Sequence, residues 1–187
     1  MSVRDNTKRI LEELQRNTAY LDDTQLSEAA DEIPKAGHIF TAGAGRSGLM
    51  IKAFTNRLMH LGLSVSNVGE ITSPHTKAGD LLLIGSGSGE TDSLISMARK
   101  AAAAHVRILL FTMDGASSIA KMADTVVVLP GVSPKTVHQG LPIASVQPMG
   151  SAYEQMNLIV YDAIIMELMD RMGENAEEMF ARHADLE

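Results

Sequence analysis

The chain has no cysteine among its 187 residues. This absence excludes disulfides, thiolate metal sites and cysteine nucleophiles. Aromatic residues make up only 4% of the chain and tryptophan is absent, whereas hydrophobic residues make up 45%, a share typical of a soluble globular protein. A chain of this length is expected to form one domain, residues 1–187, around a sizeable core.

Basic residues and long apolar runs are also scarce. The formal net charge is −7, which leaves no basic face to neutralise phosphates and argues against nucleic acid as a general partner. The N-terminal segment is charged from Arg4 onward and lacks the apolar region of a secretory signal. The most apolar long segment, residues 157–169, is interrupted by Asp162 and Glu167. No membrane span is therefore expected, and the cytoplasm is the expected location.

Short apolar runs alternate with helical patterns along the chain. The runs predict five strands, at residues 38–43, 63–68, 80–86, 106–112 and 124–130. Helices are predicted within 5–33, at 46–62 and 91–104, near 118–122, at about 151–171 and at about 174–184. This alternation over an α/β core of about 37–130 predicts a five-stranded parallel sheet with right-handed crossovers. Residues 131–148, which contain three prolines, are expected to form a long ordered loop or lid.

The first of two glycine-rich loops has the sequence GAGRSG, residues 43–48. It fits the G-x-G-x-x-G pattern of dinucleotide-binding proteins, with Glu70 as a candidate ribose ligand, but a single match is weak evidence. Arg46 and Ser47 occupy the variable positions with groups suited to an anion or a polyol, and the chain has little room for a separate substrate domain. A dinucleotide site is therefore disfavoured.

The second loop, GSGSGET, follows an apolar strand at residues 85–91. Glycines let the backbone approach a ligand closely, and the N–H groups at the start of the next helix attract an anion. Ser86, Ser88 and Thr91 can add hydroxyl donors, so the loop suits a terminal phosphate monoester. The loop lacks the lysine of a nucleotide-binding P-loop, and Glu90 is expected to point away from the phosphate, in the first turn of the helix. The alternative is that Ser88 is a helix N-cap and the glycines only form a tight turn.

Glu154 is the candidate catalytic base. In Ser151-x-x-Glu154 the spacing matches a capping box that opens the long helix. A carboxylate in a first helical turn also stays ionised and can accept a proton. The pattern alone allows both interpretations. The six histidines show no metal-ligand spacing, and no metal site is expected.

Six segments together resemble a known family: GAGRSG, RLMHLG, VGEITSP, LLLIGSGSGET, QPMGSAYEQ and RHADLE. They are similar to those of 6-phospho-3-hexuloisomerases in the sugar isomerase (SIS) domain group, over nearly the whole chain. The resemblance implies a three-layer α/β/α sandwich of the flavodoxin or Rossmann-like type, usually assembled as a homotetramer with sites near subunit interfaces. It implies sugar-phosphate binding by Ser47, Ser86, Ser88 and Thr91. It also implies catalysis by Glu154, with His183 as a second catalytic group that reaches a neighbouring subunit's site.

The implied reaction interconverts D-arabino-3-hexulose 6-phosphate and D-fructose 6-phosphate. An enediol intermediate lets one carboxylate carry out both proton transfers, so no metal or redox cofactor is expected. The full set of predicted substrate-binding residues comprises Gly45, Arg46, Ser47, Ser86, Gly87, Ser88 and Thr91. Two alternatives stay open, another sugar-phosphate isomerase of the SIS group and a non-catalytic sugar-phosphate sensor.

Overall fold

A computed structural model of the protein describes residues 1–134 and 144–186. Five parallel strands form one sheet in the order β2-β1-β3-β4-β5. They are β1 (Ile39–Gly43), β2 (Val65–Asn67), β3 (Leu81–Gly85), β4 (Arg107–Thr112) and β5 (Thr125–Val128). Of the loop predicted at 131–148, residues 135–143 lie outside the described residues.

The described residues also form six α-helices and several short 3-10 turns. The helices are α1 (Val3–Asn17), α2 (Asp23–Glu32), α3 (Gly45–His60), α4 (Asp92–Ala103), α5 (Ser151–Met172) and α6 (Ala176–Phe180). α5 ends at Met172 and is followed by Gly173, which adopts the left-handed conformation that glycine tolerates. The predicted C-terminal helix at 174–184 is shorter than expected, because Asn175 caps its start and the helix ends at Phe180.

Alternate side chains of the central strand β3 enter two different cores. Leu81 and Leu83 pack with α3 and α5 on one face of the sheet, whereas Leu82 and Ile84 pack with α4 on the other. Because both faces of the sheet are covered, β3 and β4 are buried at nearly every position. The predicted α/β fold, a three-layer sandwich around a parallel sheet, is confirmed.

The contact between α3 and β1 depends on a glycine. A Cβ atom added at Gly48 would lie 2.8 Å from the carbonyl oxygen of Gly43, a backbone atom of β1. Inside a helix, alanine is more favourable than glycine by about 1 kcal/mol. At position 48, however, the added methyl group would force α3 to move away from the sheet. We expect Gly48→Ala to lower the free energy of unfolding by about 2 kcal/mol net.

Urea denaturation followed by circular dichroism measures this effect. Lys52→Ala, at an exposed position one turn later on the same helix, is the matched control and is expected to change stability by less than about 0.5 kcal/mol. A Gly48→Ala variant as stable as the wild type would show that α3 and β1 are not in tight contact.

Candidate active site

A cleft of about 450 Å³ opens at the carboxyl ends of β1 and β3. These two strands are neighbours, and the chain leaves them in opposite directions along the sheet, to β2 and to β4. In open parallel sheets this is the position where ligands bind. The cleft is lined mainly by residues from three segments, 44–47, 85–91 and 148–154.

Three helices begin at this cleft, and none has a side-chain cap. The N-caps of α3, α4 and α5 are Ala44, Thr91 and Gly150, and none accepts a hydrogen bond from its helix through a side chain. By contrast, α1, α2 and α6 are capped by the side chains of Ser2, Asp22 and Asn175. The uncapped N–H groups and the three helix dipoles converge on the cleft, which therefore favours an anion.

The structure brings together nearly all of the predicted site residues. Those that line the cleft are Arg46, Ser47, Ser86, Gly87, Ser88, Thr91 and Glu154. Gly45 does not line it. That residue is the first of α3 and has a φ of 57°, a conformation that favours glycine.

Glu154 forms an ion pair across the cleft with Arg46. The Nη1 atom of Arg46 donates to Oε2 of Glu154 at 2.8 Å and to Oγ of Ser151 at 3.0 Å. The Glu154 side chain is only 17% exposed, whereas that of Arg46 is 47% exposed. Arg46 therefore holds the carboxylate in a defined orientation at the edge of the cleft.

The capping-box interpretation of Ser151 and Glu154 is wrong. Gly150 is the N-cap of α5, and Ser151 is already the first helical residue. The two side chains are instead joined through Arg46. The spacing of three residues places both on the side of the helix that faces the cleft.

The structure of the 85–91 loop also differs from two interpretations of its sequence, one for Ser88 and one for Glu90. Ser88 is not the N-cap of α4, because the helix begins after Thr91, and the Ser88 hydroxyl accepts the N–H of Glu90 at 3.2 Å. Glu90 precedes the helix and does not lie in its first turn as expected. Its carboxylate accepts the N–H of Ser118 at 2.6 Å.

Tyr153 lines the cleft but is unsuited to acid–base chemistry. Its hydroxyl donates to the carbonyl oxygen of Phe111 at 2.8 Å, and complete burial raises its pKa well above the usual range. The side chain therefore stays protonated and structural, which leaves Glu154 as the one acidic side chain among the described residues that line the cleft.

His183 lies away from its own chain's cleft. Its ring packs against His60, with ring centroids 5.2 Å apart, in a surface pocket that also contains Arg57 and Phe180. Among the described residues, this pocket and the cleft share no lining residue. Within one subunit, the structure does not bring His183 and Glu154 together.

Several residues of the cleft were not predicted from the sequence, and they include Ser151, Met149, Met113 and Leu94. For Ser151, the sequence pattern indicates only a helix-capping role. Its hydrogen-bond partner, Arg46, is 105 residues away, so no local sequence pattern could link the two residues. Met149 has a φ of 55° although it is not glycine. Such strain is typical of functional sites, but no sequence signal indicates it.

No group of side chains suited to hold a metal ion occurs within residues 1–134 and 144–186. Within the same residues, no helix has the length and apolar character needed to cross a membrane.

A model of the SIS domain family matches residues 32–159. Over 187 residues, which is all of both chains, the protein is 46% identical to a 3-hexulose-6-phosphate isomerase of Bacillus subtilis (strain 168). It is 40% identical over 185 residues to a protein of the same name from Mycobacterium gastri, covering 99% of this chain and 92% of that one.

A solved structure shows the same similarity. A hypothetical protein of Methanococcus jannaschii, whose crystal structure led to an inferred function of 3-hexulose-6-phosphate isomerase, superimposes with a TM-score of 0.83. It is 30% identical, and the match covers 98% of this chain and 99% of the other.

Proposed function

Because this chain belongs to the SIS domain family, we propose that it is a sugar-phosphate isomerase that interconverts D-arabino-3-hexulose 6-phosphate and D-fructose 6-phosphate. One observation carries the proposal: a single cleft is lined both by the glycine- and serine-rich loop, residues 85–91, and by Glu154, whose carboxylate is oriented by Arg46. Full-length relatives at 46% and 40% identity are named for this activity. The proposed location is the cytoplasm, and no metal or redox cofactor takes part.

The phosphate group of the substrate binds at residues 85–91. The hydroxyls of Ser86, Ser88 and Thr91, with Ser47 from the start of α3, donate to its oxygens. The uncapped N-termini of α3 and α4 add backbone N–H groups. The phosphate is remote from the reacting carbons, and its binding energy holds those carbons beside the carboxylate of Glu154.

Glu154 then moves a proton between two neighbouring carbons. In the direction of fructose 6-phosphate, the carboxylate removes the C2 proton of the 3-ketose, and electrons shift to form an enediol across C2 and C3. Protonation of O3 completes the enediol; delivery of a proton to C3 with loss of the O2 proton then leaves the carbonyl at C2, so atoms and electrons balance without a cofactor. Arg46, which already contacts Glu154, stabilises the negative charge that develops on the enediolate oxygens.

The 3-ketose enters the cleft as a linear chain. It could close a five-membered ring only through O6, which carries the phosphate. Fructose 6-phosphate does form a ring and must open before C3 can lose its proton. The cleft must therefore accept an extended sugar chain between the phosphate loop and Glu154.

A coupled assay tests the proposal directly. The protein is incubated with D-arabino-3-hexulose 6-phosphate, and fructose 6-phosphate formation is followed. A panel of pentose, hexose and heptose phosphates is run in parallel. Turnover of the 3-hexulose phosphate above all others is expected. Selective turnover of a different sugar phosphate would contradict the assignment, and tight binding without any turnover would instead indicate a sensor.

We also propose a homotetramer in which His183 serves the cleft of a neighbouring subunit. This explains why His183 packs beside His60, outside its own chain's cleft. His183 would transfer protons on the oxygen atoms of the enediol while Glu154 acts on the carbons.

Hybrid tetramers test this arrangement. Glu154→Gln and His183→Ala are each expected to lower kcat by about 10²-fold or more. The two variants are co-expressed with different tags, and the mixed oligomers are purified through both tags. If His183 acts between subunits, some sites in the hybrid contain both groups and turnover returns. If both groups act within one chain, every site lacks one of them and turnover stays at the level of the single variants.

A further inference from the structure

The carbonyl groups of the phosphate loop are held away from the cleft. The carbonyl of Gly87 accepts the N–H of Met113 at 2.9 Å and the hydroxyl of Thr112 at 3.2 Å. The carbonyl of Gly89 accepts the N–H of Ile119 at 3.2 Å. Because the carbonyl of Gly87 is fixed on the side of β4, the same peptide can present the N–H of Ser88 to an anion.

The segment after β4, residues 114–119, is hydrogen-bonded to this loop through two adjacent residues. Ile119 donates to Gly89, and Ser118 donates to the carboxylate of Glu90 at 2.6 Å. Gly89 packs so closely that an added Cβ would lie 2.0 Å from Oγ of Ser117. The loop and the segment therefore share a tight, hydrogen-bonded contact.

A carboxylate close to a phosphate site repels the phosphate, which is electrostatically unfavourable. The presence of Glu90 in this loop therefore indicates a role other than direct contact with the phosphate. Glu90 is exposed and does not line the cleft. Its backbone N–H donates to the hydroxyl of Ser88, a residue that does line the cleft. The hydrogen bond from Ser118 lowers the pKa of Glu90, so the carboxylate stays ionised as an acceptor at neutral pH.

We propose that Glu90 is a positioning residue that fixes the phosphate-binding loop, residues 85–91, to the segment 114–119. This inference rests on the proposed function, since it takes the substrate's phosphate as the ligand of the loop. The hydrogen bond to Ser118 fixes the ordered arrangement of Ser88 and Thr91 before the substrate arrives. Pre-organised donors bind an anion without first having to be ordered.

Two substitutions of Glu90 distinguish the effect of its hydrogen bond from the effect of its charge. Glu90→Gln keeps an oxygen that accepts the Ser118 N–H but removes the negative charge. Glu90→Ala removes both. We expect Glu90→Ala to raise KM for fructose 6-phosphate by about tenfold, with kcat within about threefold of wild type. Glu90→Gln is expected to keep KM at or below the wild-type value.

Asp92→Asn is the matched control for charge. It removes an exposed negative charge at the start of α4, two residues from Glu90. We expect its KM to stay within about twofold of wild type. Circular dichroism of each variant confirms that the fold is retained.

Two results would overturn the positioning role: an unchanged KM for Glu90→Ala, or an equal rise in KM for Glu90→Ala and Glu90→Gln. A thermal-shift titration with inorganic phosphate gives a readout that does not depend on turnover. We expect phosphate to stabilise the wild type and Glu90→Gln but to have a weaker effect on Glu90→Ala. If the wild type turned over no sugar phosphate, the proposed reaction would be wrong, and this titration would still decide the role of Glu90.

Discussion

Replacement of Glu154 with glutamine is expected to lower kcat for fructose 6-phosphate by about 10³-fold, with KM nearly unchanged. Glutamine has the same shape, and its amide oxygen can still accept the hydrogen bond from Arg46 that the carboxylate accepts at 2.8 Å. It cannot accept a proton from carbon. The substitution therefore removes the proton transfer while it keeps the packing of the cleft.

Steady-state kinetics in both directions measure this effect. Glu167→Gln is the matched control, because Glu167 lies on the same helix, pairs with Arg171 and does not line the cleft. The control is expected to keep wild-type kcat. A folded Glu154→Gln variant with near-normal turnover would show that another group removes the proton.

Replacement of Arg46 with alanine is expected to lower kcat by about 10²-fold. Arg46 joins Ser151 and Glu154 at the edge of the cleft, so its removal leaves the carboxylate without orientation. It also removes the one cationic side chain among the described residues that line the cleft. Under the proposed mechanism, the variant would provide no side-chain cation from these residues to stabilise the enediolate.

Arg46→Lys distinguishes charge from geometry. Lysine keeps the positive charge but not the planar group that reaches two acceptors at once. We expect its kcat to fall between those of the wild type and Arg46→Ala. If Arg46→Ala instead raised KM at constant kcat, Arg46 would be a phosphate ligand and would have no part in proton transfer.

The sheet was predictable from the sequence because its strands are covered on both faces. Runs such as residues 80–86 are apolar at almost every position, and β3 forms within that run at Leu81–Gly85. Each predicted strand is one to three residues longer than the observed strand, and the excess includes polar residues such as Asp80 and Asp124, which precede the first ladder pair of β3 and of β5. The resemblance drawn from six segments is confirmed by the family match and by the full-length relatives.

The cleft was only partly predictable. The glycine and serine pattern at 85–91 indicates an anion site because its chemistry is local. Arg46 and Glu154 are 108 residues apart, and their pairing depends on how α3 and α5 begin at the same end of the sheet. Ser151 and Glu154 fit a capping box equally well, because a spacing of three residues on a helix serves either purpose.

The position of Glu90 was predicted wrongly for a similar reason. Acidic residues favour the first turn of a helix, but Thr91 is the N-cap and Glu90 precedes it. Its partner, Ser118, lies 28 residues further along the chain. Only the tertiary contact between the loop and the segment after β4 gives this carboxylate a partner.

The position of solvent deuterium in fructose 6-phosphate tests the central claim most directly. The protein is incubated with fructose 6-phosphate in D₂O, and the sugar is examined by NMR. A carboxylate that forms an enediol across C2 and C3 exchanges the proton on C3, so deuterium at C3 is the predicted result, lost in Glu154→Gln. Deuterium at C1 instead of C3 would indicate an aldose–ketose isomerase, and deuterium at C3 that persisted undiminished in Glu154→Gln would contradict proton transfer by Glu154.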